Sequence, residues 1–269
     1  MPNEVIPSAL SLTRGDTIAF VSPSGRLSDI FPSATTRAKS HFESRGFKVK
    51  TFDTKLLSTD FRRATLQRCE ELHAAFADPD VKCVLCTSGG TTCNELVRFL
   101  DYDLIKKYPK IFCGFSDITL LHYALYTQCG LRTFYGPTAA DYFGEAPSPD
   151  SFTAGNFLKV LTGDGVGAVP RSLKWTQEPL DFFVSGDSST KERTRQTTPP
   201  WRWLRGGEAS GPIIGGCLSV MMRCNGTSFP ILFDIDAGHT SPMLTIPLNG
   251  MVKLDSEADE FSILEKGVE

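Results

Sequence analysis

The sequence predicts an α/β fold: a parallel sheet with helices on both faces, followed by a smaller β-rich region. Two observations support this prediction. Between residues 16 and 126, apolar runs of strand length alternate with amphipathic runs of helix length, which is the pattern of βαβ units. After residue 200, short strand-like segments dominate. The chain has 269 residues, 41% of them hydrophobic, enough to form the core of one large or two modest domains.

The first βαβ unit begins with the apolar strand Asp16–Ser22, which ends at Pro23-Ser24-Gly25. A helix over Ser33–Arg45 follows and stops at Gly46, because glycine commonly ends helices. The short strand Phe47–Phe52 completes the unit. Two consecutive strands joined by a helix in this way lie parallel.

Further segments extend this sheet. Arg62–Phe76 predicts a helix with one apolar face, and Val81–Cys86 predicts the next strand. Asn94–Leu100 has helical spacing, and the strand Lys110–Gly114 leads into a helix over Ile118–Tyr126. The carboxyl ends of parallel strands share one edge, where ligands bind. We therefore expect the loops that leave this edge to converge on one site: Ser22–Gly25, Thr87–Thr92 and Phe115–Asp117.

The second half of the chain is less regular. Ser185–Pro200 is polar and lacks apolar periodicity, so it predicts an exposed loop or linker. Trp201-Arg202-Trp203 begins a strand-like stretch, a helix is expected up to Cys224, and Met243–Leu264 predicts short strands. The sequence thus predicts a nucleophile domain over residues 1–145, an irregular connection over 146–200 and a small, truncated domain over 201–269.

Composition limits the classes of partner. A net charge of −3 and a pI near 5.9 provide no basic field for nucleic acid or for an anionic membrane. No apolar run reaches membrane-spanning length, and Met1–Val5 shows no secretory signal, so a cytoplasmic location is expected. Small molecules or peptides are the expected partners.

The eight cysteines lie mostly in apolar runs and predict reduced, buried thiols. Cys83 and Cys86 form a C-x-x-C within a strand, and neither a second cysteine pair nor a histidine pair stands at ligand spacing, so neither metal nor cofactor is expected. A weaker alternative makes Cys93 or Cys113 the nucleophile of an amidotransferase-like domain.

Ser116 is the candidate nucleophile. It lies where an apolar strand turns into a helix, and Gly114 permits a tight turn there. The free N–H groups at the start of the helix can stabilise an oxyanion. The alternative is that Ser116 only caps the helix, a common role of serine.

Several blocks in order resemble the LD-carboxypeptidase family of serine peptidases, most closely its microcin-immunity-like branch. The resemblance covers nearly the whole chain. The blocks are Gly15-Asp16, Ser22–Ser24, Ser88–Gly90, Asn94–Leu96, Leu100–Ile105, Pro109-Lys110, Gly114–Thr119, Gly136-Pro137, Gly211–Ser219, Gly226-Thr227 and Gly238–Pro242. The resemblance implies a flavodoxin-like first domain, a smaller second domain, no metal, a plausible homodimer and a Ser-Glu-His triad. It also implies cleavage of a bond between an L- and a D-centre in murein peptides, or of the amide of a peptidyl or aminoacyl nucleotide.

Residue by residue, the resemblance makes His239 the base that takes the proton of Ser116. It makes the backbone N–H groups of Gly90 and Asp117 the oxyanion donors. Trp201 and Trp203 are expected to stack on a substrate base or ring, as the resemblance suggests, and Trp203 is the candidate substrate-binding residue. The alternative is that two tryptophans in a β-rich region are core or interface residues. Neutral histidine suits the role of base because its pKa lies near neutral pH.

One departure from the family pattern affects the chemistry. The segment that carries the triad glutamate in the family is missing here, since no glutamate lies between Glu208 and Glu257. Asp234 or Asp236 is the available substitute. A histidine without its acid loses about 10⁴ in rate in serine hydrolases. Two interpretations follow: an active serine carboxypeptidase or amidase, and a catalytically impaired member that at most binds a ligand.

Overall fold

The computed structural model describes residues 9–53, 56–217 and 230–269. Within them the strands are β1 Thr17–Val21, β2 Lys48–Thr51, β3 Val81–Cys86, β4 Ile111–Gly114, β5 Thr133–Tyr135, β6 Gly167–Ala168, β7 Lys174–Trp175, β8 Gln196–Thr197, β9 Arg202–Arg205, β10 Glu208–Pro212, β11 Ile231–Phe233, β12 Ile246–Leu248, β13 Met251–Asp255 and β14 Glu260–Ile263. The α-helices are α1 Leu27–Ile30, α2 Pro32–Glu43, α3 Phe61–Ala77, α4 Tyr102–Lys107, α5 Thr119–Cys129, α6 Ser151–Leu161 and α7 Phe182–Ser185. Two 3₁₀ turns, Cys93–Glu95 and Ser116–Ile118, and a π-helix, Ala139–Phe143, complete the elements.

The main sheet has six strands in the order β12-β5-β4-β3-β1-β2. β1 to β5 are parallel, and their order 2-1-3-4-5 is that of flavodoxin-like folds. β12, from the far end of the chain, pairs antiparallel with β5. The predicted α/β class is confirmed, and the C-terminal part contributes an edge strand to the first sheet.

Helices cover both faces of this sheet. Ile18 and Phe20 of β1 face a layer that contains α2 and α6, whereas Ala19 and Val21 face a layer that contains α3, α4 and α5. Every residue of β1, β4 and β5 is buried. Strands buried on both faces carry near-continuous apolar runs, which is why their sequences predicted a parallel sheet.

The prediction of a helix over Asn94–Leu100 was wrong. The N–H groups of Glu95, Leu96 and Phe99 each bond to the carbonyl three residues earlier, so the segment forms tight turns and not an α-helix. Its apolar residues Leu96 and Leu100 are nevertheless buried. Tertiary packing, which includes a 2.7 Å ion pair between Glu95 and Arg68, overrides the local helical preference.

A smaller β-rich region follows, as predicted. It contains the antiparallel sheet β10-β13-β14-β6 and the pairs β9-β11 and β7-β8. Its buried apolar cluster includes Trp201, Leu244, Val252, Phe261 and Ile263. The helix expected up to Cys224 lies outside the described residues.

Residues 146–200 are irregular only in part. They contain α6, whose Phe157 and Leu161 are fully buried in the core of the first sheet. The polar loop 185–200 is mostly exposed but is tied down, because Arg193 donates to the buried Glu145 at 2.8 Å. The division into three parts stays a prediction.

The described cysteines are mostly buried, as the sequence predicts. The seven cysteines among the described residues are free, and six of them are buried. No helix in the described ranges is both long and apolar enough to cross a membrane.

Buried His122 makes stability depend on pH. Its side chain lies behind β4, with Nε2 at 3.0 Å from the Gly114 carbonyl oxygen, and burial lowers its pKa to about 4. An unfolded histidine titrates near 6.5, so between pH 6.5 and 4 the unfolded chain binds more protons and the folded state loses stability as pH falls. This loss is expected to be on the order of 3 kcal/mol for His122.

We expect the variant His122→Leu to show a shallower fall in the free energy of unfolding between pH 6.5 and 4.5 than the wild type. The measurement is urea denaturation at a series of pH values, in which the slopes are compared rather than the absolute stabilities. Part of the acid sensitivity will remain, because burial also lowers the pKa of His41 to about 4. Equal slopes would contradict the assignment to His122.

Candidate active site

The loops at the carboxyl ends of β1, β3 and β4 meet, as expected. The N–H of Gly25 donates to the Gly89 carbonyl at 3.0 Å, and the Ser24 hydroxyl accepts from the N–H of Thr92 at 3.1 Å. The Ser24 hydroxyl also donates to the carboxylate of Asp117 at 2.5 Å. These three bonds hold the loops against one another, so the candidate site lies at this edge of the sheet.

Ser116 occupies the corner between β4 and α5. Its backbone has φ of 63°, in the left-handed region that non-glycine residues rarely adopt. Such strained corners present a nucleophile outward at the end of a sheet. The N-cap position of the turn that follows is Phe115, and the hydroxyl of Ser116 bonds to His239. The geometry therefore favours the nucleophile over the capping interpretation.

His239 meets Ser116 although 123 residues separate them. The Ser116 Oγ lies 3.0 Å from Nε2 of His239. The imidazole is exposed, and its ring packs on Phe115 with 5.2 Å between the centroids. The pair can transfer a proton when Nδ1 of His239 carries the ring hydrogen and Nε2 accepts.

In the part of the chain that the structure describes, no carboxylate accepts a hydrogen bond from His239. Asp236 accepts from the N–H and the hydroxyl of Ser172, at 2.9 and 2.6 Å. Asp234 pairs with Arg202 at 2.7 Å. The two aspartates closest to His239 in sequence are therefore engaged elsewhere, and neither replaces the acid.

The two N–H groups predicted to stabilise an oxyanion, those of Gly90 and Asp117, are not used elsewhere in the described structure. In the described part of the chain, neither N–H group donates to a backbone or side-chain acceptor. Gly89 lies so close to the nucleophile that a Cβ there would be 2.7 Å from the Cβ of Ser116. The assignment of Gly90 and Asp117 as oxyanion donors stays a prediction.

Sequence reasoning missed two residues that support this site. Tyr135, on β5, is buried, and burial raises the pKa of its phenol to about 12, although the nearby Ser116 backbone opposes this rise. Asp141 accepts from the hydroxyls of Ser88 at 2.9 Å and Thr138 at 2.8 Å, and burial raises its pKa to about 6. The only signal in the sequence is a polar residue within an otherwise apolar stretch.

Trp203 lies on β9, and its indole N–H donates to Asp259 at 2.9 Å in the turn between β13 and β14. This partner belongs to the second region and not to the loops around Ser116. Trp201, two residues before Trp203, is buried, and the guanidinium carbon of Arg171 lies 3.8 Å from the centroid of its ring. The stacking role of Trp203 stays a prediction.

The geometry disfavours the cysteine alternative. Cys93 and Cys113 are buried, and burial raises the pKa of both thiols, which opposes the reactive thiolate form. The described residues contain no group of three or more histidine, cysteine or acidic side chains that could hold a metal ion.

A parallel sheet with a strained serine corner beside a histidine is an arrangement found among hydrolases. The chain belongs to the LD-carboxypeptidase family. The LD-carboxypeptidase N-terminal domain matches residues 18–136. The chain is 30% identical over 269 residues to the microcin C7 self-immunity protein MccF of Escherichia coli, covering 96% of this chain and 77% of that protein. A carboxypeptidase-like protein of Vibrio cholerae is 33% identical over 223 residues.

Solved structures agree with the fold. The structure of MccF in complex with aspartyl sulfamoyl adenosine matches with a TM-score of 0.85 at 25% identity, over 98% of this chain and 100% of that chain. An MccF-like protein from Bacillus anthracis matches with a TM-score of 0.81 at 27% identity, over 96% of this chain and 99% of that chain.

The chain spans about two thirds of the length of the first curated relatives that it matches. Its alignments span 65% of the Vibrio cholerae protein and 66% of a carboxypeptidase-like protein of Bacillus subtilis. An alignment with a Synechocystis relative at 30% identity is 300 positions long, longer than the 269 residues of this chain. That relative therefore contains residues with no counterpart in this sequence, and the internal shortening expected from the sequence stays a prediction.

Proposed function

We propose that this chain is a serine-type carboxypeptidase or amidase that cleaves a small peptide or a peptidyl-nucleotide amide through an acyl-enzyme on Ser116. The observation that carries the proposal is the 3.0 Å contact between Ser116 Oγ and His239 Nε2 at a strained strand-to-helix corner. Family membership supports the reaction class. The ligand of the MccF structure supports an aminoacyl nucleotide as one substrate type.

In the proposed reaction, His239 Nε2 takes the hydroxyl proton of Ser116 while Oγ bonds to the carbonyl carbon of the substrate amide. The carbonyl π electrons move to its oxygen, and the N–H groups of Gly90 and Asp117 stabilise that oxyanion. Collapse breaks the C–N bond, and the amine leaves with the proton from His239. Water then attacks the ester and gives a proton to His239, which returns it to Ser116 as the acid product leaves.

A second candidate is a catalytically impaired member of the family that binds a ligand without turning it over efficiently. One observation favours it: no described carboxylate orients His239 or stabilises its imidazolium. In serine hydrolases this absence lowers kcat by about 10⁴. The two candidates share the site and differ in rate.

The test is intact-mass spectrometry after exposure to a serine-reactive fluorophosphonate, with Ser116→Ala and His239→Ala as controls. We expect one adduct on the wild type, none on Ser116→Ala and strongly slowed labelling of His239→Ala. No adduct on a folded wild type would overturn the active-enzyme proposal.

Substrate assignment uses the same three proteins. We expect the wild type to release the amino acid from aspartyl sulfamoyl adenosine, or the terminal residue from a peptide with an L–D bond, and Ser116→Ala to release neither. Labelling without hydrolysis of either substrate would support the impaired candidate.

A further inference from the structure

The loop that carries His239 is held by a buried tyrosine. The hydroxyl of Tyr142 donates to the carbonyl oxygens of Gly238 at 2.7 Å and Thr240 at 3.1 Å, the residues on either side of His239. Tyr142 is only 6% exposed. Burial raises the pKa of its phenol well above the usual value, so the hydroxyl keeps the hydrogen that it shares between the two carbonyls.

The rings around the base form a second restraint. Phe115, the residue before the nucleophile, packs on Tyr142 with 5.4 Å between centroids and on His239 with 5.2 Å. The imidazole is therefore positioned by a ring on one side and by its clamped backbone on the other. Both restraints act on geometry, and neither adds a charge near Nδ1.

Tyr142 belongs to the π-helix Ala139–Phe143, which also binds the loop after β3. The N–H of Ala140 donates to the Thr87 carbonyl at 2.8 Å, and Asp141 accepts from the Ser88 hydroxyl at 2.9 Å. One short helix thus contacts the loop of Gly90 on one side and the loop of His239 on the other. π-Helical turns are frequent at functional sites, and here the turn places adjacent residues against both loops.

We infer that Tyr142 is a positioning residue for His239, and that it performs by backbone clamping part of the orienting role that a triad acid performs in other serine hydrolases. The inference rests on the proposed function of Ser116 and His239. Tyr142 touches neither substrate nor the reacting atoms. It keeps Nε2 within reach of the Ser116 hydroxyl, and it leaves the imidazolium without a counter-charge.

The test is Tyr142→Phe, which removes the hydroxyl and keeps the ring packing on Phe115. We expect fluorophosphonate labelling to slow by about 10- to 100-fold, because small misplacements of a catalytic group have effects of this size. In substrate assays kcat should fall while KM stays unchanged. The pH midpoint of the rate should also stay unchanged, because no charge is altered.

The matched control is Tyr102→Phe. The Tyr102 hydroxyl donates to the Val97 carbonyl at 2.5 Å, away from the site, so the variant loses the same kind of hydrogen bond without touching the His239 loop. Both variants are first compared with the wild type by near-ultraviolet circular dichroism at the assay temperature. Labelling of folded Tyr142→Phe at the rate of Tyr102→Phe would overturn the inference.

A readout that needs no activity separates this inference from the proposed function. The histidine ring signals are recorded by ¹H–¹³C NMR, with His239 assigned through His239→Ala. We expect Tyr142→Phe to shift or broaden the His239 signal and Tyr102→Phe to leave it in place. If the His239 signal shifts in Tyr142→Phe but the wild type is not labelled, the positioning role stands and the proposed enzymatic function fails. If the His239 signal of Tyr142→Phe is the same as that of the wild type, the positioning role is rejected.

Discussion

Replacement of Gly90 by alanine is expected to slow acylation of Ser116 by about 10²- to 10³-fold, the cost of losing one oxyanion donor. A Cβ at Gly90 would lie 2.6 Å from the backbone N of Gly25 and even closer to the Ser24 hydroxyl oxygen. Backbone atoms cannot rotate away, so the loop itself must shift. The N–H of Gly90 would then leave the position where it can stabilise the oxyanion.

The measurement is the second-order rate of fluorophosphonate labelling. The matched control is Gly155→Ala, on the exposed face of α6, where a Cβ meets no atom within 4 Å. The control should label at the wild-type rate and gain up to about 1 kcal/mol of stability, since alanine favours a helix over glycine. Unchanged labelling of a folded Gly90→Ala variant would remove Gly90 from the oxyanion hole.

Replacement of Glu145 by alanine is expected to lower the free energy of unfolding by about 3–5 kcal/mol, because it leaves the buried guanidinium of Arg193 without its carboxylate partner. Glu145 is 2% exposed, and Arg193 donates to it at 2.8 Å while Arg195 lies 3.5 Å away. The side chain of Arg193 is itself only 9% exposed. The loop 185–200 should detach from the body of the protein when this pair is broken.

Urea denaturation of Glu145→Ala measures this effect. The control is Glu43→Ala, which breaks a surface pair with Lys39 at 3.8 Å, both side chains being nearly half exposed. Exposed pairs contribute about 0–1 kcal/mol, so the control should stay close to the wild type. Equal effects of the two substitutions would show that the Glu145 cluster is hydrated and not a buried ion pair.

Much of the first sheet could be predicted because its signals are local. Strand and helix periodicities extend over a few neighbouring residues, and β1, β3, β4 and the helices α2, α3 and α5 were recognised in this way. Asn94–Leu100 shows the limit of the method. Its spacing is helical, yet the ion pair of Glu95 with Arg68 and the packing of Leu96 select a tighter turn.

The candidate nucleophile was also visible locally, because a glycine, a serine and an acid at a strand-to-helix corner are neighbours in the chain. The base was reached through resemblance alone. The sequence signal of Tyr142 and Asp141 was not specific, since a tyrosine and an aspartate in an apolar stretch can equally be surface residues. Their roles become visible only in the structure, where the Tyr142 hydroxyl donates to the Gly238 carbonyl and the Asp141 carboxylate accepts from the Ser88 hydroxyl.

The sequence by itself determined the α/β class, the parallel strands and the serine corner, because each depends on the side-chain pattern of adjacent residues. Only the tertiary structure decided that β12 forms an edge strand of the first sheet and that Ser116 and His239 meet although 123 residues separate them. It alone also showed that Tyr142 holds the loop that carries His239. These contacts depend on the order of the strands and on which buried polar groups must find partners. Both are properties of the folded chain as a whole.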